Sequence, residues 1–261
     1  VFQWVIALHK RSNRENPAMM SGALGVLMEP LQKNKKPKQH HAACAVEELP
    51  QLIAEVHGYN SMSARACEFA ILTATRSQAV RLARWEEFDL EKGIWVIPLE
   101  HDKIKAPNRD RTIFLSSAAL KLLKGLVRYS ESPYVFPSSQ GNHFSDCALT
   151  MFLRGLHEKQ LAEDGIGWID PVKTEKLGKP CCISLHGTAR ATFRTWAKDD
   201  EMGNNRRFDQ EAVELCLLHS KNDAYDGAYD RAPLAKEPLW RLGASTLTQR
   251  FVDAGGLRGF S

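Results

Sequence analysis

The stretch LCLLHSKNDAYDGAYDR, from Leu215 to Arg231, ends an apolar helix at His219 and then offers two tyrosines, Tyr225 and Tyr229. A phenol titrates near pH ~10 and is a weak nucleophile at neutral pH, so a tyrosine that does covalent chemistry needs cationic company and a positioned proton acceptor. Residues of both kinds stand upstream. ISLHGTARATFRTW puts His186 and Arg190 four apart, on one face of a helix, and TATRSQAVRLARW puts Arg76 at the end of an apolar helix. Taken singly, each has an ordinary explanation. Arg76 serves as a surface residue or a cap, and His219 as a helix terminus favoured by the dipole. The ordered set of two arginines, two histidines and a late tyrosine is what asks for a chemical explanation.

The elements that would position these groups are legible from apolar spacing. VEELPQLIAEVHGY and SARACEFAILTAT carry helical periodicity, so two helices precede Arg76, and the short helix SQAVRLARW follows it. A turn is expected at FDLEKG. GIWVIPLE and RTIFLS then read as two β segments flanking a polar loop with Pro107 and Asn108, forming a hairpin or small sheet. SAALKLLKGLV is helical, YVFPS extended and CALTMFLRGLHEK helical again, and a loop rich in Gly, Asp, Lys and Pro spans about 163 to 180 before the helix that begins after His186. In that helix Ala189, Phe193 and Trp196 are placed to pack a core. The fold class expected is mainly α (α+β): a helical domain with one small antiparallel sheet.

The N-terminal region has a different character. Residues 1 to 32 read as helical pieces too short to enclose a core, and QKNKKPKQHH then gathers Lys33, Lys35, Lys36 and Lys38 around Pro37 without apolar periodicity. That is the composition of an exposed linker, and a domain boundary is expected within 33–45. Linker lysines serve solubility, or they track DNA phosphates and release counterions.

Composition sets outer limits. The chain has 261 residues, 43% of them hydrophobic, and six cysteines without CxxC or zinc spacing. Disorder is excluded, and the thiols read as reduced residues of an intracellular core. A net charge of +4 with a pI near 8.7 is only mildly basic and does not by itself name a partner. No run approaches the ~18 apolar residues of a membrane span, so a soluble chain with no membrane partner is expected. Its first residue, Val1, is read as that of a piece of a longer protein.

The boxes TATRSQAVRLARWEEFDL, HGTARATFRTWA and LLHSKNDAYDGAYDR resemble the tyrosine recombinase (phage integrase) family, in particular its prophage and genomic-island members. The resemblance covers about residues 46–235. The first box matches the family form T-G-x-R-x-x-E through Arg76, Trp85 and Asp89, with two departures: Ala74 stands where glycine is usual, and Ala79 where an acidic residue usually supports the arginine. The second box has H-x-x-x-R where H-x-x-R is commoner, and the R-A-T-F at Arg190 fixes the alignment. The interval of ten residues from His219 selects Tyr229 over Tyr225.

What the resemblance implies is a catalytic domain over 46–235, preceded by the end of a helical core-binding domain (1–32) and a basic linker (33–45) and followed by an atypical tail (236–261). Its catalytic set would be Arg76, Lys103, His186, Arg190, His219 and Tyr229, with Lys105 as the alternative for the hairpin lysine and Lys33, Lys35, Lys36, Lys38 and Lys105 on DNA. Tyr229 would attack a phosphodiester to give a 3'-phosphotyrosyl link and a free 5' hydroxyl, with no cofactor or metal, because one phosphodiester replaces another. Arg76 and Arg190 would bracket the non-bridging oxygens, and Lys103 would protonate the leaving oxygen. The implied partners are double-stranded DNA attachment sites, with a homotetramer assembling on DNA from monomers, in the bacterial cytoplasm and on the nucleoid. The product is integration or excision of a mobile element. The rival readings are a DNA-binding protein of the same fold with impaired catalysis, suggested by Ala79 and the irregular tail, a type IB topoisomerase, and a metal-dependent nuclease, for which His40, His41 and the scattered acids give no ligand set.

Overall fold

The computed structural model describes residues 40–101, 111–204, 207–208, 213–214, 216–217 and 250. By its internal contacts the chain divides between His40 and His41, and the elements below belong to the second unit. The segments read as core-binding piece, hairpin loop and atypical tail lie outside the described residues, apart from Arg250.

The core is built around one helix. Helix α1 (Leu49–Gly58) carries Pro50 in its first turn, where the missing N–H costs nothing, and buries Leu49, Leu52, Ile53 and Val56 along one stripe. Helix α2 (Met62–Thr73) starts at Ser61, whose side chain accepts from the Ala64 N–H at 3.2 Å. From Ala66 to Thr73 every residue of α2 is buried, the mark of a helix enclosed on all sides. α1 packs along α2, and so does the later helix α5 (Ala148–Asp164), which contributes Leu149, Leu153 and Leu156. The Cys67 thiol reaches the Leu149 carbonyl at 3.7 Å.

α2 ends in a Schellman turn. The Thr75 N–H returns to the Ala70 carbonyl at 3.1 Å and the Ala74 N–H to that of Ile71 at 3.2 Å, with Ala74 left-handed at φ 51°. Arg76 then begins helix α3 (Ser77–Leu82) as its N-terminal cap residue, with extended backbone.

Strands β1 (Phe88–Asp89), β2 (Ile94–Ile97) and β3 (Arg111–Phe114) form an antiparallel sheet in the order β1-β2-β3, with Trp95 opposite both Phe88 and Ile113. The turn expected at FDLEKG therefore contributes a third strand. Two residues are too few to show alternation, and β1 is set by pairing. The sheet is tied to α2 by aromatic packing, with the Phe69 ring 5.4 Å from Trp95, 6.0 Å from Phe88 and 5.4 Å from Phe136. Beneath it the Trp95 indole N–H donates to buried Glu87 at 2.8 Å, and His101 Nδ1 lies 2.8 Å from the other carboxylate oxygen, anchoring the exit of β2.

Helix α4 (Ser117–Gly125) is capped by Ser116. The loop expected over 163–180 is more ordered than its composition suggests. α5 runs on to Asp164, whose carboxylate accepts the Ile166 and Gly167 N–H groups at 2.8 Å, which holds its pKa below the usual range. A further helix, α6 (Pro171–Leu177), starts on the Asp170 cap with proline in its first turn. The end of the stretch read as linker is also packed: Ala42 and Cys44 are buried. Among the described residues the architecture is mainly helical with one small antiparallel sheet, the class expected, and no helix is long and apolar enough to cross a membrane.

Candidate active site

Two arginines of the sequence pattern lie in the core of one unit, Arg76 with 8% and Arg190 with 5% of its surface exposed. Ion-bearing side chains are rarely buried without a purpose, structural or chemical. Arg76 is delivered by the left-handed turn after α2, and Arg190 comes from the segment after His186, which packs against α2. The Arg190 guanidinium donates through Nη1 to the carbonyl oxygen of Ala74 at 3.3 Å. The second arginine is thereby docked onto the turn that presents the first.

The backbone that carries Arg190 departs from expectation. An α-helix after His186 is predicted by the apolar spacing, but Gly187–Thr192 forms a π-helical turn, and α-helix resumes as α7 (Phe193–Ala197). Such turns absorb one surplus residue inside a helix. The turn overlaps the interval between His186 and Arg190, where the chain has one residue more than the resembled H-x-x-R. His186 and Arg190 remain on one helical segment, while Ala189, Phe193 and Trp196 are buried as expected.

His186 is half-buried at the head of this turn, its ring 4.5 Å from that of His41. The segment His41–Cys44 lies along the turn. The Ala42 carbonyl accepts from the Ser184 N–H and hydroxyl, both at 2.9 Å, and the Ala43 N–H donates to Asp170 Oδ2 at 2.9 Å. The Cys44 N–H donates to the Thr188 hydroxyl at 3.3 Å, and the Cys44 carbonyl accepts from that of Thr192 at 2.7 Å. Burial, reinforced by Glu48, Glu47 and Asp170, pushes the Cys44 thiol far above its usual pKa. This strap was not anticipated in the sequence. Its one visible signal is Gly187, a lone glycine in a helical stretch, where a Cβ would lie 2.0 Å from the Ala42 carbonyl oxygen.

Ala79 is buried on α3, so an apolar methyl occupies the place where the resembled pattern has a carboxylate. Of the remaining candidates, Lys103, Lys105, His219 and Tyr229, together with Lys33, Lys35, Lys36 and Lys38, lie outside the described residues. Of the described candidates, Arg190 thus reaches the turn that leads into Arg76, and His186 heads the helical segment that carries Arg190. Among the described residues no group of three or more His, Cys, Asp or Glu side chains is placed to hold a metal ion.

Comparison with known proteins places the chain in a family. Residues 43–177, more than half of the chain, match the model of the phage integrase family, and the protein belongs to it. Its sequence is 28% identical over 227 residues to the integrase of Enterobacteria phage P4, a match covering 82% of this chain and 44% of that one. It is 26% identical over 202 residues to the prophage integrase IntZ of Escherichia coli K12, covering 76% of this chain and 42% of the relative. The chain thus spans less than half the length of these curated relatives. Among solved structures it is similar to the XerA recombinase, with a TM-score of 0.46 at 12% identity, covering 96% of this chain and 80% of that one. It is similar also to a lambda integrase dimer bound to a COC' core site, with a TM-score of 0.47 at 12% identity, covering 75% and 68%.

Proposed function

We propose that this chain is the catalytic part of a site-specific DNA recombinase that cleaves and rejoins DNA through a 3'-phosphotyrosyl intermediate, for integration or excision of a mobile element. The observation that carries the reading is the docking of Arg190 onto the Ala74 carbonyl, beside Arg76, in a member of the phage integrase family. A scissile phosphodiester carries one negative charge, and a second builds on its non-bridging oxygens as the pentacoordinate transition state forms. Two guanidinium groups placed at one site, that of Arg190 held on the Ala74 carbonyl before substrate arrives, stabilise that charge.

In this mechanism Tyr229 attacks phosphorus and the 5' oxygen leaves. Lys103 protonates the leaving oxygen, with Lys105 as the alternative donor, and His186 and His219 assist proton transfer and phosphate binding. The 5' hydroxyl of the partner strand then attacks the phosphotyrosine and releases Tyr229. Bond energy is conserved through both steps, so no nucleotide, metal or other cofactor is required. Residues 1–32 are assigned as the end of a core-binding domain, 33–45 as the linker whose lysines follow DNA phosphates, 46–235 as the catalytic domain and 236–261 as a tail. A homotetramer assembled on two double-stranded attachment sites performs the exchange in the bacterial cytoplasm.

The test is trapping on a nicked suicide duplex in excess EDTA, with the duplex sequence selected from random DNA by the full-length protein. A covalent protein–DNA adduct is expected. DNA binding without any adduct would sink the recombinase reading.

A further inference from the structure

The π-helical turn has to satisfy two neighbours. On one side it meets the strap. A Cβ on Gly187 would lie 2.0 Å from the Ala42 carbonyl oxygen and 2.6 Å from its carbon, and Thr192 donates to the Cys44 carbonyl at 2.7 Å. On another side Arg190 reaches the Ala74 carbonyl. Gly187 and Thr192 are five residues apart. In an α-helix, residues five apart differ by ~140° around the axis and could not both face one extended segment. In an i→i+5 turn, which winds less per residue, they come onto the same face. The hydroxyl of a helical threonine usually bonds a carbonyl one turn back on its own helix. Here both threonine hydroxyls are used on the strap, taking the N–H and the C=O of the same residue, Cys44.

If the turn relaxed to α, one residue would be surplus, and the helix before it would rotate by ~100° relative to the helix after it. α7 is held by buried Phe193 and Trp196, so the rotation would fall on the segment before it, which carries Arg190 and His186. We propose that Thr192 is a positioning residue for Arg190: its bond to the Cys44 carbonyl holds the turn in the π register that aims the guanidinium at the Ala74 carbonyl and the scissile phosphate. The strap supplies the fixed point, being tied in turn to Ser184 and Asp170. The inference rests on the recombinase reading given above.

The test is single-turnover adduct formation by the full-length protein at saturating suicide duplex, together with duplex affinity. Thr192→Val keeps the shape but removes the hydroxyl. It is expected to slow adduct formation roughly 10- to 100-fold, the scale of a misplaced catalytic group, with affinity unchanged. Thr192→Ser should restore the rate. In an Arg190→Lys background Thr192→Val should add little further loss, because the two changes strike the same interaction. Should circular dichroism show Thr192→Val to be unfolded, Thr192→Ala is read in the same way. A wild-type rate in the hydroxyl-free variant, or equal slowing in both backgrounds, overturns the positioning role alone. Absence of any adduct with the unaltered protein overturns the recombinase reading and this inference with it.

Discussion

Arg190 donates to the Ala74 carbonyl across 116 residues of sequence, and Ala74 is the one non-glycine residue with positive φ among the described residues. The two facts are connected. A left-handed residue closing α2 turns the chain sharply enough to present its own carbonyl to the second arginine while the next residues lead into Arg76. The site therefore depends on a strained turn at a position where the resembled pattern has glycine.

Replacing Ala74 by glycine tests that strain. At φ 51° an L side chain costs about 1 kcal/mol, and glycine removes the cost while giving back some chain entropy on unfolding. Ala74→Gly is expected to raise stability by roughly 0.5–1 kcal/mol in chemical denaturation. An unchanged midpoint would mean that the buried Ala74 methyl, with 1% of the residue exposed, packs well enough to offset the strain.

Gly187 gives the opposite case. A Cβ there meets backbone atoms of Ala42, which cannot swing aside as a side-chain tip can. Gly187→Ala must push the strap off the π-helical turn, with an expected loss of about 1–3 kcal/mol. Thermal and chemical unfolding measure it. A loss under about 0.5 kcal/mol would show that the strap is held only loosely.

How much of this was legible depended on the kind of signal. α1 announces itself because its buried residues recur at helical spacing and α2 by its long, almost wholly apolar run, and their starts are marked by Pro50 and Ser61. Arg76 and Arg190 could be nominated from their boxes, since residue type and order survive in a string. The cap pair Asp170–Pro171 was equally visible, but the polar composition around it concealed α6. The π turn left only an arithmetic trace, one residue too many between His186 and Arg190. Apolar periodicity cannot distinguish an i→i+5 turn from an i→i+4 one over six residues. The strap was illegible because its bonds join positions 127 to 148 residues apart through its backbone groups, which no residue type advertises.

The hairpin lysine is separable by chemistry. If Lys103 is the general acid, Lys103→Ala should slow cleavage by ~100-fold or more, and Lys105→Ala should cost much less. A duplex with a 5'-phosphorothiolate leaving group, which departs without a proton, should restore the Lys103→Ala rate. Equal defects with no rescue would move the role to Lys105 or reduce it to phosphate binding.

The nucleophile admits the sharpest separation, because only one atom can attack. Tyr229 and Tyr225 are four residues apart, ten and six residues after His219, and both carry the same phenol. Tyr229→Phe keeps the ring and its packing but deletes the attacking oxygen, so duplex binding should persist while the covalent adduct disappears altogether. Tyr225→Phe should leave adduct formation within a few-fold of the unaltered protein, since only a hydrogen-bonding group is lost. Mass spectrometry of the trapped, nuclease-digested complex should find the nucleotide on the peptide containing Tyr229, with fragment ions assigning it to that residue. A nucleotide on Tyr225, or cleavage surviving in Tyr229→Phe, would show that the interval from His219 has been counted to the wrong phenol, and the proton-transfer roles given to His186 and His219 would have to be reassigned with it.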